Sequence, residues 1–561
     1  MNKKLIKLLS IALSCTCVCS AFFGCGNKNS DENSDKTVLR IASYDAGISV
    51  NWLYALEERF EKEYENRSFE ENKTGVDVKI DSAKTYTIEQ MIASKNHILV
   101  QGDMNIYADY ERFMPLTDIV EEKCYDDGTK SISDKFSPIQ KEFLYAMGGE
   151  CYFIPNAQMF DGVVYDIDLF DKYNLYFAQD LVHGKSVFIT DPSDAKSFGP
   201  DGQTGVKDGI DYSIDDGLPA TNEEFLTLCA EMSEQGITPF IWTGKNVGYS
   251  NGILTASYNS MAGKSVEYNY TFNSGDNEIE IIDSFDSQGN PNVSKTKING
   301  ANGYLMMQQK ERYQALELMQ AIIDNGYYDK TSCFATSVSM MEAQAKYVKS
   351  APTGAPIAML AEGCYWVNEA RDVISQIGEQ YPKYANRKFG YLPMPTMATG
   401  THKDVEPNVD CYSLAISCED YMMINKRNVE SSDVMKEVCK LFLQFANSDQ
   451  SLSEYTAIEK TPKDLIYEMD DETLKTLPYF TQDMLLKKRI ADANGVMYQY
   501  GSSNLIYRNV RLGFGMGNQA TTWRNGNDVY ASEAFKKGSL TAAQYFMNLR
   551  NFNSAYMQYF K

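Results

Sequence analysis

The stretch GYSNG, Gly248 to Gly252, satisfies the G-x-S-x-G pattern that can carry a nucleophilic serine. That chemistry is acyl transfer. It requires a strand running directly into the motif and a helix leaving it, so that Ser250 is strained and exposed. It also requires a histidine downstream, and of the three in the chain only His402, in the polar run ATGTHKDVEP, qualifies. The apolar run ITPFIW ends several residues before Gly248, so the pattern reads as a chance occurrence. Glycoside hydrolysis would need two carboxyl groups at a set separation. With 76 acidic residues some close pair is inevitable, and none stands in a motif that singles it out. No HExxH, P-loop or dinucleotide fingerprint is present.

Binding chemistry is better represented. The chain has four tryptophans, Trp52, Trp242, Trp366 and Trp523, and 38 tyrosines, which offer a flat apolar face with a polar handle. Tyr365 precedes Trp366, Arg524 and Asn525 follow Trp523, and Tyr249 lies shortly after Trp242. Asp45, with Tyr44 before it, follows the first strand-like run, and Asp103 follows the third. In an open α/β sheet those are carboxyl ends of strands, where ligands bind. Asn156 and Asp161 stand at a turn between two units. Rings beside carboxylates, amides and a guanidinium suit a solute with C–H faces and many hydroxyls, as a sugar has. The competing role for each tryptophan is core filler.

Composition narrows the partners. The formal charge is −23, and removing the three lysines of the N-terminal head takes it to about −26, which argues against nucleic acid. The head itself, MNKKLIK, is followed by the apolar run Leu8–Gly24, short for a bilayer span and in keeping with a signal peptide over 1–24. Cys25 ends that run behind Gly24, and the polar stretch 25–36 reads as a disordered tether. The cysteines from Cys124 to Cys439 are scattered singly without a CxxC pair, so neither a disulfide framework nor a zinc site is expected.

The elements that must position these residues follow from periodicity. TVLRIASY, GVDVKID and NHILVQ read as strands, and SVNWLYALEERFEKEYENR as a helix with Leu53, Leu56, Phe60 and Tyr64 on one face. Strand, helix, strand in sequence predicts a mainly parallel sheet with helices on its faces. GLPATNEEFLTLCAEMSEQG predicts a helix entered by a capping box of Thr221 and Glu224 and ended at Gly236. The run 191–217, with seven aspartates among glycines and serines, reads as a solvated loop that could hold Ca²⁺ through oxygen ligands but lacks EF-hand spacing. The stretch turning at Gly289-Asn290 reads as a surface hairpin.

Several segments in order carry a resemblance: MGGECYFIPNAQMFDGVVYDIDLFDKYNLY (147–176), GLPATNEEFLTLCAEMSEQGITPFIWTG (217–244), APIAMLAEGCYWVNEA (355–370), RKFGYLPMPT (387–396), VMKEVCKLFLQFANSDQSLSEYT (434–456) and TTWRNGNDVYASEAFKKGSLTAAQYFMNLR (521–550). The chain resembles the family 1 extracellular solute-binding proteins, the carbohydrate receptors of ABC importers. SAFFGC similarly resembles a lipobox, with Phe22 and Phe23 where that motif has aliphatic and small residues.

The resemblance implies an α/β, two-lobed periplasmic-binding-protein-like fold of type II, with a ligand cleft between lobes joined by crossover strands. The implied division is a first lobe over 37–153 and 408–456 and a second over 154–407 and 457–561. It also implies lipidation at Cys25, a monomer held at the extracellular face of the cell membrane, and delivery of a carbohydrate, an oligosaccharide given the chain length, to permease subunits without a catalytic step. Two other readings stay open: a secreted carbohydrate-active hydrolase, and a binding protein that feeds a sensor.

Overall fold

The structure is a computed structural model that describes residues 35–45, 47–102, 110–125, 128–145, 148–179, 186–189, 191, 193–207, 210–400, 404, 413–494, 523, 529–549 and 552–560. The expected signal peptide and nearly all of the tether, with Cys25, lie outside them, as do Asp103, His402 and Arg524.

The first lobe is built from β1 (Thr37–Tyr44), α1 (Asn51–Glu63), β2 (Val76–Ala83), β3 (Ile98–Gln101) and the short β4 (Ile154–Pro155). β1 pairs in parallel with β2 and β3 and buries Leu39, Ile41 and Ala42. α1 turns Trp52, Leu53, Leu56 and Phe60 inward, the stripe that 3.6-residue periodicity dictates. Tyr64, read as part of that stripe, instead caps the helix and is half-buried, because the helix stops one residue before it.

Two residues after β4 the chain enters a different sheet as β5 (Gln158–Asp166). The second lobe then adds α2 (Asn222–Glu234), β6 (Thr238–Ile241), α3 (Asn251–Ala262), the hairpin β7 (Ile279–Phe285) and β8 (Pro291–Thr296), α4 (Lys310–Asp324), α5 (Met340–Thr353), β9 (Ile357–Gly363), β10 (Phe389–Tyr391) and β11 (Ala415–Cys418). The sheet order is β6-β9-β5-β10, with β11 also on β5. β9, IAMLAEG, is buried at every position because the α3 and α5 helices pack on it as well as its neighbouring strands, which is why its sequence is apolar up to Glu362 rather than alternating. At the start of α2 the Thr221 side chain accepts from the Glu224 N–H, but the Glu224 carboxylate reaches back to the Ala220 N–H, one residue beyond the expected box.

β12 (Tyr421–Ile424) lies back in the first sheet, whose order is β2-β1-β3-β12-β4. α6 (Asp433–Ala446) and α7 (Asp449–Glu459) follow it, broken at Asn447 and restarted by a Ser448 cap. α6 and α7 pack on α1. α8 (Tyr479–Asn494) returns to the second lobe against β10, and α9 (Ala531–Lys536) and α10 (Ala542–Asn548) pack there on α4.

Among the described residues three crossings therefore join the lobes, at Asn156, at Glu419–Asp420 and at Thr461–Asp464. They fall about three, twelve and five residues beyond the boundaries read from sequence at 153, 407 and 456; β4 accounts for the first offset, β11 for the second and the length of α7 for the third. The crossings are fastened to one another. Asn156 Nδ2 and the Ala157 N–H both donate to Asp420 Oδ1, at 2.9 and 2.8 Å, and the Asp464 N–H donates to the Asn156 carbonyl at 2.9 Å. The fully buried Lys463 ammonium donates to Asn156 Oδ1 and sits 4.1 Å from the Trp52 ring centroid.

The 191–217 run is less solvated than its composition suggests. Ser197, Asp201, Asp215 and Gly217 are buried, and the Asp201 N–H donates to Asp215 Oδ2 at 3.2 Å. Burial raises both carboxyls. Among the described residues no group of three or more His, Cys, Asp or Glu could hold a metal ion. Nor is any described helix long and apolar enough to cross a membrane.

Candidate ligand-binding site

β9 and β5 run antiparallel with Gly363 opposite Asp161 and Glu362 opposite Gly162. That register brings the carboxyl end of β9 beside the start of β5, just past the first crossing. Both strand ends open into a cavity of about 340 Å³. Met159 and Asp161 on β5 and Glu362 and Gly363 on β9 form one wall. Tyr365, Trp366 and Glu369, on the turn and short helix after β9, form the second. Asn246, Gly248, Tyr249 and Asn251, on the turn leading into α3, form the third, with Tyr530 beside them.

The supposed nucleophile motif is thus a cavity wall. Ser250 itself points away: it is fully buried, its hydroxyl donating to the Val247 carbonyl at 2.7 Å and lying 2.7 Å from Ser532 Oγ. It sits in a 3-10 turn well after β6 has ended, not on a strand-to-helix elbow.

Asp161 also lines a smaller neighbouring cavity of about 140 Å³, with Thr255, Tyr258, Asn269, Arg312 and Trp523 among its walls. The Trp523 indole donates to Thr255 Oγ1 at 3.1 Å and its ring meets Tyr258 edge-on at 5.9 Å. Arg312 is wholly buried, donating to Asn269 Oδ1 at 2.7 Å and stacking 4.5 Å from the Tyr258 centroid. One carboxylate therefore faces two adjoining compartments, each floored by rings.

The larger cavity is lined by acids. Asp161, Glu362 and Glu369 line it, and among its described lining residues there is no Lys, Arg or His. The Gln344 side-chain amide donates to Glu362 Oε2 at 3.1 Å and to Glu369 Oε2 at 2.7 Å, so the two carboxylates share one donor. Burial pushes Glu362 up to about 8 and Asp161 up to about 7, the former helped by repulsion from Glu369 and Asp161. The Tyr249 hydroxyl is raised by burial and then by Glu362, Glu369, Asp161 and Glu419 together.

No protein-family model matches the sequence, and no curated relative does. Solved structures do align, over about nine-tenths of the chain. A chitin oligosaccharide binding protein aligns with 14% identity and a TM-score of 0.50, over 92% of this chain and 98% of its own. Maltose-bound MalE3 of T. maritima aligns with 14% identity and a TM-score of 0.48, over 92% of this chain and 98% of its own. The chain shares the fold of that chitin oligosaccharide binding protein.

On the solute-binding fold, the residues singled out in the sequence divide into groups. Asp161, Tyr249, Tyr365 and Trp366 meet in the larger cavity, and Trp523 joins Asp161 in the smaller one. Trp242 lies apart, fully buried between Tyr328 and Phe334. Trp52 is packed on Tyr455 beneath Lys463, and Asn156 is a crossing residue. Tyr44 and Asp45 end β1, half-buried, and line neither cavity. Glu362, Glu369, Asn251, Tyr530 and Arg312 were not singled out. For the first two a signal existed, an acid closing an apolar strand and another seven residues on, flanking the Tyr365-Trp366 pair.

Proposed function

We propose that the protein is a lipid-anchored extracellular receptor that captures a carbohydrate and passes it to an ABC importer. The observation that carries this reading is the pair of adjoining cavities at Asp161, where rings lie beside carboxylates, amides and a guanidinium next to the crossings of a two-lobed fold. Aromatic faces stack on the C–H faces of a sugar, and the polar groups take its hydroxyls. A cavity of this size is at the small end of ordinary ligand sites, ~300–1,000 Å³. Closure of the lobes about the crossings would then dry the site and present a joint surface to a permease.

Anchoring rests on the sequence: a basic head, a short apolar run and Cys25 ahead of a polar tether. Two acyl chains on that cysteine suffice for stable membrane attachment. The absence of a catalytic step is part of the same reading, supported by the burial of Ser250. The solved structures named above are binding proteins, which accords with it.

The test is thermal shift of the purified protein against a glycan panel. A ligand at about 100 times its dissociation constant adds ~2.7 kcal/mol to a protein whose native state alone binds it. A raised midpoint with one glycan class, lost in Asp161→Asn together with Tyr249→Ala, is the expected result. If that glycan is recovered shortened after long incubation, the protein is a hydrolase and the receptor reading fails. If no glycan shifts the midpoint, the carbohydrate assignment fails and the fold stands.

A further inference from the structure

We infer that the saccharide selected by the larger cavity carries a free amine, and that Glu362, Glu369 and Asp161 are the groups that select it. The inference rests on the carbohydrate reading of the same cavity and narrows it. Three carboxylates converge there and the described lining residues bring no cation. Hydroxyls of a neutral sugar could hydrogen-bond to them, yet would leave them either to carry desolvated charge without a partner or to hold protons, as burial already drives Glu362 and Asp161 to do. An ammonium supplies the partner, and its hydrogen bonds to carboxylates are roughly twice as strong as neutral ones.

The geometry of the two glutamates adds to this. Both accept from the one Gln344 amide, which holds them side by side, and Glu362 Oε1 accepts besides only from the Gly363 N–H at 3.1 Å, so no cation among the described lining residues stands between them. Two lining residues also carry buried atoms without partners, Asn251 Oδ1 and the Trp366 indole N–H, but both are shielded from the cavity. Burial raises Glu362 and Asp161 in the ligand-free cavity, so a bound ammonium would draw them back toward the ionised form with release of protons.

The experiment is calorimetric titration of the purified protein with matched series differing only at one substituent: glucosamine, N-acetylglucosamine and glucose, their galacto counterparts, and the β-1,4-linked dimers of the gluco series. The amine member is expected to bind at least about tenfold more tightly than its acetylated and hydroxyl counterparts. That preference is expected to shrink between 50 and 500 mM salt, because a charge pair is screened and a stacking contact is not. It is also expected to collapse toward unity in Glu362→Gln/Glu369→Gln, whose cooperative melting would show that it is folded. Equal or tighter binding of a neutral member overturns the inference and leaves the carbohydrate reading in place. The same holds if only other neutral glycans of the panel bind. Failure of every saccharide overturns both.

Discussion

At the scale of single residues, the site is defined by where protons sit. Glu362 has an ordinary carboxyl pKa of about 4.3 in an unfolded chain and is pushed up to about 8 in the folded one, chiefly by burial. A carboxyl raised on folding contributes stability that is whole below the unfolded value and is lost as pH climbs through the folded value. Ligand-free Glu362→Gln is therefore expected to melt close to the parent at pH 5 and above it at pH 8.5, as read by calorimetry at the two pH values. A gap of the same size at both would contradict the assignment. The ring residues differ in kind. Trp366 lines the cavity but is wedged among Tyr347, Phe389 and Phe480, at 5.9, 5.1 and 5.6 Å, so Trp366→Ala is expected to cost about 3–5 kcal/mol of folding stability in urea denaturation. Tyr249 is only half-buried, and Tyr249→Ala is expected to weaken ligand binding with a much smaller change in stability.

At the scale of elements, local patterns were legible and long-range register was not. The stripe of α1, the buried run of β9, the break between α6 and α7 and the turn of the β7–β8 hairpin are all set by neighbours within a few residues. Trp242 shows where this ends. It follows β6 and reads as a rim residue, but Tyr328 and Phe334, nearly a hundred residues on, close over it. Likewise nothing near Glu362 announces that β5 will place Asp161 beside it; only the pairing of Gly363 with Asp161 does so. The crossings are another such product. Asp420 accepts from Asn156 and Ala157 across more than 260 positions of sequence. Asp420→Ala would leave two buried donors unmatched, and the expected loss is about 2–4 kcal/mol by urea denaturation, with Asp420→Asn losing less because it keeps an acceptor.

At the scale of the whole molecule, two features govern how the lobes act together. The N-terminal run is expected to be processed and acylated at Cys25, so Cys25→Ala should abolish incorporation of labelled palmitate and release the protein from the membrane fraction. Closure depends on close approach between lobes near the cavity. Gly47, in the loop between β1 and α1, has φ of +78°, and a Cβ there would stand 3.0 Å from the Tyr365 ring. Both backbone and space call for glycine. Gly47→Ala is expected to hinder the ligand-induced compaction that solution X-ray scattering should detect in the parent.

The triple linkage has a mechanical consequence. Two bodies joined by one strand can swivel, bend and shear independently. Three chain segments laid side by side and laced by the Asn156, Asp420 and Lys463 side chains are expected to act as a strap hinge, stiffer to torsion than to bending. Any permease that docks on both lobes would then sense occupancy through one coordinate, the spacing of two surfaces, whatever the identity of the solute between them.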